Sequence, residues 1–408
     1  MFQNFPRYFK EVYKNELSIF IYLNAIFFYI PFVFNASFTP PEINYSLLFL
    51  FLLLNIIFGR PDFKMLLTSN ISISLMFYII MGLVFSMFFG SILEALKKAF
   101  VLISTMVLFF VYIYHKLDEK YVVNVLTSMT VVGLLVLWSV FFNLDNEGYS
   151  TYNHADAIRR DVFSLKSGVN IFIIMPLFVA SIFTYYKTIN QSKIMFLLLI
   201  SAFFAYGVII LDNPVRVSLL FIILYLFLIQ SKYVLLMIVL MLLIIIFNFE
   251  SVEFVTYLLD KTQNESRLEF FKDIAIWNDV NGYIGFGLSV VEKWAHNHPY
   301  TILDINSIVL FYLETGIIGV VAIFTIIFSL IMKYKKNLAS SSCQEVCADN
   351  YSNMRDFSIY ILPLGITLIL LPNIAILGQT SVFEYYFLFF ILTLAYKTSR
   401  NIQNKNIK

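Results

Sequence analysis

Charged residues are scarce in this chain. Only 13% of its 408 residues are Asp, Glu, Lys or Arg, whereas an ordinary soluble domain carries about 25%. A water-soluble enzyme of this length is therefore excluded. Cysteine is also scarce, because only Cys343 and Cys347 are present. Two thiols cannot make a disulfide framework or a four-ligand zinc site, and we expect both to be reduced in a cytoplasmic loop.

Apolar residues dominate the chain instead. They make up 60% of it, and the mean hydropathy is +0.81. A helix needs ~20 apolar residues to cross a bilayer, so the composition predicts an all-α, polytopic membrane protein that forms a single integral membrane domain over residues 1–408. About twelve apolar runs are long enough to be spans, near 17–36, 45–59, 71–89, 97–114, 121–142, 169–186, 194–212, 216–231, 233–249, 307–332, 357–377 and 381–396.

The distribution of lysine and arginine predicts the orientation, since cytoplasmic loops are enriched in both. If the N-terminus is cytoplasmic, eighteen of the 28 basic residues fall on the inner side and ten on the outer side. Lys97 and Lys98 count among the outer ten. The first run follows Arg7, Lys10 and Lys14 and has no small-residue cleavage pattern, so we expect a retained span and cytoplasmic termini.

Two outer segments are too long to be simple turns. They cover residues 143–168 and residues 250–306, and the second lies between spans nine and ten. Apolar residues at helical spacing between Arg267 and Trp277 predict an amphipathic helix on the membrane surface. Binding residues concentrate on loops held by a rigid scaffold, so we expect the functional site in these segments.

Four arginines fall on the outer side, against the orientation rule: Arg159, Arg160, Arg216 and Arg267. Each could contact lipid headgroups or form a salt bridge in its loop, and Asp212 is close enough in sequence to pair with Arg216. Alternatively, they bind an anionic substrate, because a guanidinium holds phosphate oxygens through two parallel hydrogen bonds.

The second outer segment carries two further patterns. Gly285 and Gly287 form a Gly-Phe-Gly sequence that permits close backbone approach to a ligand, or simply a turn. His296 and His298 are potential metal ligands, but they have no supporting carboxylates nearby in the sequence. We therefore expect hydrogen-bonding histidines, and neither a metal nor another cofactor.

Glu314 lies inside the tenth predicted span, about 10 Å along the helix axis from its start. An ionisable residue within a membrane is a functional candidate, although a structural hydrogen bond to a neighbouring helix is the alternative. Gly316 and Gly319 follow it, and we expect them to allow close helix packing.

The order of these features resembles the O-antigen polymerase and O-antigen ligase superfamily of bacterial inner-membrane glycosyltransferases. The resemblance covers residues 212–319 and consists of an arginine that opens a span, an Arg…Trp…Gly-x-Gly pattern in a long outer loop, an Asn-Ser pair and a Glu-x-Gly-x-x-Gly motif. The matching residues are Arg216, Arg267, Trp277, Gly285, Gly287, Asn306, Ser307, Glu314, Gly316 and Gly319.

The resemblance implies a metal-independent enzyme whose active site faces the periplasm. Its substrate would be an oligosaccharide linked to undecaprenyl diphosphate, and a polymerase would transfer the growing glycan to the nonreducing end of a new lipid-linked unit. A chain-length regulator protein is a candidate partner besides membrane lipids, and no nucleic acid is expected. The family's phosphate-binding role would fall to Arg216 and Arg267, then to Arg159 and Arg160, with Gly285, Gly287 and Asn306 near the substrate.

One departure from the ligase pattern favours a polymerase. In ligases a histidine commonly precedes the asparagine that lies eight residues before the motif glutamate, and this chain has Ile305 there. Isoleucine cannot transfer a proton, so His296, His298, Asp304 or Glu314 would have to act. An O-antigen ligase that uses lipid A-core remains an alternative. A lipid-linked oligosaccharide flippase or transporter is another, although the long loop between spans nine and ten breaks the two-fold symmetry common in transporters.

Overall fold

The computed structural model describes residues 7–29, 42–142, 171–212, 216–229, 274–288, 307–342, 352–370 and 382–405. These residues are almost entirely helical and include no β-strand, which confirms the all-α class for this part of the chain. The numbered helices are α1 (Arg7–Lys14), α2 (Glu16–Asn24), α3 (Glu42–Phe58), α4 (Lys64–Thr68), α5 (Asn70–Phe89), α6 (Ile92–Lys116), α7 (Glu119–Phe142), α8 (Ile171–Thr188), α9 (Lys193–Asp212), α10 (Arg216–Leu228), α11 (Ser307–Thr315), α12 (Ile317–Ser342), α13 (Ser352–Leu370) and α14 (Val382–Lys405). A π-helical turn over Ala25–Tyr29 follows α2, and a short helix over residues 274–281 lies between α10 and α11.

Within the described ranges, four helices are long and apolar enough to cross a membrane: α5, α6, α7 and the Ile317–Leu338 part of α12. Several shorter apolar helices accompany them. This arrangement is compatible with a multi-pass membrane protein. The twelve-span topology and the orientation of the termini stay predictions.

Two predicted runs differ from the observed helices. The run 307–332 is interrupted at Gly316, which has a φ of +65°, a left-handed conformation that ends α11 and that residues other than glycine rarely adopt. The run 97–114 begins earlier, at Ile92. Lys98 therefore lies inside α6 and is buried, and its place on the outer side of the membrane stays a prediction.

The helix α6 contains a π-helical segment over Val107–Ile113. A π-helix changes the hydrogen-bonding pattern of the carbonyls within it. The backbone N–H of Asp62 donates to the Val111 carbonyl at 3.2 Å. The segment that precedes α4 is thereby attached to the C-terminal part of α6.

The helix α7 lies in the core and packs against α2, α8 and α9. Gly133 allows close approach to α8, since an added Cβ would overlap the Phe178 side chain.

Helix α5 carries apolar side chains on its outside, where Ile80 is 53% and Phe88 is 75% exposed. An apolar exterior suits a helix that is surrounded by lipid.

Candidate functional site

The candidate site centres on Glu314, two residues before the interruption at Gly316. Its side chain is fully buried. Lys98 of α6 donates to Oε1 of Glu314, and the hydroxyl of Tyr78 on α5 donates to Oε2. Both carboxylate oxygens are therefore engaged by residues from two other helices.

Burial makes this arrangement sensitive to the loss of one member. Lys98 is 7% exposed and Tyr78 is fully buried, and the ring of Tyr78 stacks on Phe311 with centroids 4.1 Å apart. Two charges taken out of water are costly unless they are paired and hydrogen-bonded. The cluster satisfies that condition, so removing Lys98 would leave an uncompensated carboxylate in the protein interior.

Residues 283–288 dock on the interruption between α11 and α12 through backbone hydrogen bonds. The N–H of Phe286 donates to the Leu313 carbonyl at 2.7 Å, and the N–H of Gly287 donates to the Glu314 carbonyl at 2.8 Å. In return, the N–H of Ile317 donates to the Tyr283 carbonyl at 3.2 Å. The last carbonyls of α11, which a helix leaves without intrahelical partners, thus bond to this segment.

The glycines of the segment lie where a side chain does not fit. A Cβ at Gly285 would overlap the Glu314 carbonyl, and one at Gly287 would overlap Ser86 of α5. Gly287 also has a φ of +97°. The close backbone approach expected of Gly-Phe-Gly is made to the protein's own helices, and its role in binding substrate stays a prediction.

The glycines of the Glu-x-Gly-x-x-Gly motif are also tightly packed. A Cβ at Gly316 would overlap the Tyr283 carbonyl, and one at Gly319 would overlap the Phe311 carbonyl. Gly319 thus permits α12 to begin close to α11, while Gly316 permits both the interruption and the docking of residues 283–288.

A short loop helix over residues 274–281 precedes the docked segment. It includes the end of the predicted amphipathic helix and continues beyond Trp277. The Trp277 ring stacks on Phe286 with centroids 3.8 Å apart, and its Nε1 donates to the Ile284 carbonyl at 2.9 Å. Tyr312 of α11 donates to Asn278 at 2.7 Å. These contacts attach the loop helix to the docked segment and to α11.

The remaining sequence-predicted residues have little or no structural description. Arg216 is the first residue of α10, as expected, but its side chain lies outside the described part. The other predicted residues lie outside the described ranges altogether: Arg159, Arg160, Arg267, His296, His298, Asp304 and Asn306. Their roles and mutual distances stay predictions.

Sequence reasoning missed Lys98 and Tyr78. The sequence feature that could have indicated Lys98 is its position six residues into an apolar helix. A lysine there needs a partner of opposite charge or a hydrogen-bond acceptor. Among the residues that the structure describes, no group of three His, Cys, Asp or Glu side chains is placed to hold a metal.

The geometry favours a positioning role for Glu314. A general base needs a free oxygen within reach of the proton that it accepts, and here Lys98 and Tyr78 occupy both oxygens. The carboxylate instead joins α5, α6 and α11 at the point where residues 283–288 dock.

Comparisons with protein-family models, with curated proteins and with solved structures find no match to this chain.

Proposed function

We propose that this chain is a membrane glycosyltransferase that polymerises oligosaccharide repeat units linked to undecaprenyl diphosphate at the periplasmic face of a bacterial inner membrane. The observation that carries the proposal is a contact between two motifs of the resemblance. The Gly-x-Gly pattern of the long loop docks on the Glu-x-Gly-x-x-Gly motif, and the N–H of Gly287 donates to the Glu314 carbonyl at 2.8 Å. Motifs 27 residues apart in sequence thus meet in one place.

The proposed reaction transfers a glycan between two lipid carriers. The hydroxyl oxygen at the nonreducing end of the new unit bonds to the anomeric carbon of the growing chain. The bond between that carbon and the diphosphate oxygen breaks, and lipid diphosphate leaves with the electron pair. Arg216 and Arg267 bind the diphosphate and stabilise its developing charge. His296, His298 or Asp304 accepts the hydroxyl proton, while Glu314 positions the docked loop.

The test is the polysaccharide ladder of a deletion strain complemented with variants. Under the proposal, the deletion strain carries one repeat unit per lipid A-core, and the wild-type gene restores long chains. Arg216→Ala and Arg267→Ala do not restore them, although both proteins reach the membrane in normal amounts. The control is Arg60→Ala, which changes an exposed arginine on the predicted inner side and should restore the full ladder.

Other ladders would contradict the proposal. Wild-type ladders from both arginine variants would remove the basis for the active site. A deletion strain with no polysaccharide on the core would favour one of the alternatives. Long polymer that accumulates on the lipid carrier would then indicate a ligase, and single repeat units retained at the cytoplasmic face would indicate a flippase.

One observation favours the flippase or transporter as the second candidate. An apolar run is divided into α11 and α12 at Gly316, beside the buried ion pair of Glu314 and Lys98. Interrupted helices and intramembrane charges are typical of transporters. Purified protein in vesicles separates the two functions, since a transporter moves labelled lipid-linked oligosaccharide across the bilayer without lengthening its glycan.

A further inference from the structure

A second ion pair, partly buried, lies at the other end of α6. Lys116 donates to Oε1 of Glu16, to the Asn55 side-chain oxygen at 2.6 Å and to the Tyr13 carbonyl at 2.9 Å. A lysine ammonium has three N–H donors, so this cation is fully bonded. Glu16, the first residue of α2, is 1% exposed.

The second oxygen of this carboxylate is different. Among the described residues, Oε2 of Glu16 makes no hydrogen bond of normal geometry, although the Asn55 side chain lies beside the carboxylate, and the hydroxyls of Tyr121 and Tyr386 make none either. Tyr121 is 4% exposed and Tyr386 is 1% exposed. The Tyr121 hydroxyl faces the Leu17 backbone without a hydrogen bond of good geometry.

These three groups belong to one interface, because α2 packs against both α7 and α14. The ring of Tyr386 stacks on Phe20, one turn along α2 from Glu16, with centroids 4.2 Å apart. Each phenol also interacts electrostatically with the Glu16 carboxylate, and the two phenols interact with each other. One acceptor oxygen and two hydroxyls are therefore buried where α2 meets α7 and α14.

Further buried polar atoms lie elsewhere on two of these helices. Ser18 and Asn24 lie on α2, and Thr130 lies on α7. Each has a buried oxygen without a hydrogen-bond partner in the described part of the chain. Polar groups away from water cost free energy when unpaired, and buried polar groups are commonly satisfied by bound water.

The chemistry of the groups selects the ligand. Oε2 of Glu16 can only accept a hydrogen bond, whereas each phenol can donate one. Water both donates and accepts, so a single molecule can join the carboxylate to a phenol. A metal cation fits poorly, because the Lys116 ammonium already neutralises Glu16 and a further cation would leave net positive charge in the interior.

We propose that the interface of α2 with α7 and α14 is a bound-water site, in which water hydrogen-bonds Oε2 of Glu16 and the hydroxyls of Tyr121 and Tyr386. The site lies on other helices than the Glu314 cluster and is independent of the proposed function. The bound water would hydrate the Glu16 carboxylate, which lies at the predicted inner end of an otherwise apolar helix bundle.

Radiolytic labelling of the full-length protein in lipid nanodiscs tests the site. Brief X-ray exposure turns bound water into hydroxyl radicals, which oxidise the side chains beside it. Tyr225 is the matched control, since it is fully buried and its hydroxyl is within 3.0 Å of the Thr184 hydroxyl. We expect Tyr121 and Tyr386 to be oxidised several-fold faster than Tyr225. Equal rates at all three tyrosines would overturn the proposal.

Thermal unfolding of Tyr386→Phe provides a second test that does not depend on radical chemistry. If water bonds the Tyr386 hydroxyl, the substitution leaves that water short of a partner and lowers the Tm, as Tyr225→Phe does when it breaks the Thr184 bond. If no water bonds the Tyr386 hydroxyl, the substitution removes an unpaired buried polar group and should not lower the Tm. An unchanged or raised Tm for Tyr386→Phe, beside a lowered Tm for Tyr225→Phe, would reject the site.

Discussion

Lys98 and Lys116 lie near opposite ends of one helix, α6, and each forms an ion pair with a buried glutamate of a different helix. They are eighteen residues apart in sequence, or ~27 Å along a helix that rises 1.5 Å per residue. That length is close to the ~30 Å hydrocarbon thickness of a bilayer. Helix α6 is therefore fixed to α11 at one end and to α2 at the other.

The ion pair of Lys98 and Glu314 should contribute strongly to stability. Lys98→Met leaves the Glu314 carboxylate buried without a cation, and we expect the free energy of unfolding to fall by about 3–5 kcal/mol. Denaturant titration in mixed micelles measures this change. The control is Lys97→Met. The Lys97 side chain is 63% exposed and pairs with Glu94 on the same helix, so its loss should cost less than about 1 kcal/mol. Equal losses for the two lysines would contradict the pairing.

The double variant Lys98→Met/Glu314→Gln tests whether the loss comes from the unpaired charge. Because Gln carries no charge, the double variant should be more stable than Lys98→Met alone. An additive combination of the two single losses would show that the residues do not interact.

Tyr78→Phe should separate the hydroxyl from the ring. The substitution removes the hydrogen bond to Glu314 but keeps the stacking on Phe311, so we expect a loss of about 1.5–3 kcal/mol, the range for a bond to a charged group. Tyr283→Phe is the control, because that side chain is 64% exposed and should change stability little. A Tyr78→Phe variant as stable as the parent would argue against the contact with Glu314.

Gly316→Ala and Gly282→Ala form a matched pair of backbone variants. Both glycines have left-handed conformations, with φ of +65° and +64°, so both substitutions add the strain of that conformation, about 1–2 kcal/mol. Only Gly316 has the Tyr283 carbonyl where the Cβ would be, whereas Gly282 has open space. Gly316→Ala should therefore also displace residues 283–288.

Hydrogen exchange of the Phe286 and Gly287 amides measures that displacement. Their N–H groups donate to α11 carbonyls, and exchange should accelerate in Gly316→Ala but stay near the parent rate in Gly282→Ala. Similar acceleration in both variants would mean that strain alone opens the segment.

Arg216→Lys tests how the proposed site binds diphosphate. Lysine keeps the charge but cannot form the two parallel hydrogen bonds of a guanidinium. We therefore expect Arg216→Lys to produce shorter chains than the wild type, with Arg216→Ala giving single units. Ladder length on gels reports the difference, and full-length chains from Arg216→Lys would indicate that charge alone suffices.

Local sequence patterns predicted much of the helical structure. The predicted apolar runs are helical wherever the structure describes them. This prediction succeeded because the hydropathy of a run depends only on residues that are close in sequence. The start of α10 at Arg216 followed from the polar turn before it. The interruption at Gly316 was not predicted, since a glycine inside an apolar run is also compatible with a continuous helix.

The partners of Glu314 could not be predicted for a different reason. Lys98 is 216 residues away from Glu314, and Tyr78 is 236 residues away, so no local periodicity relates them. Lys98 counts with Lys97 among the predicted outer basic residues, at the start of the run 97–114. Lys98 is buried because it pairs with the Glu314 carboxylate of another helix. Only the tertiary fold brings these two helices together.

The attachment of residues 283–288 by main-chain hydrogen bonds affects how this protein can evolve. Backbone groups are the same for every residue type except proline, so the side chains at positions 284 and 286 can diverge between relatives as long as Trp277 keeps a partner to stack on. Gly285 and Gly287 lack that freedom, and an insertion between them would shift the register of every following bond. Orthologues should therefore preserve the spacing of this short stretch more strictly than its amino-acid identities.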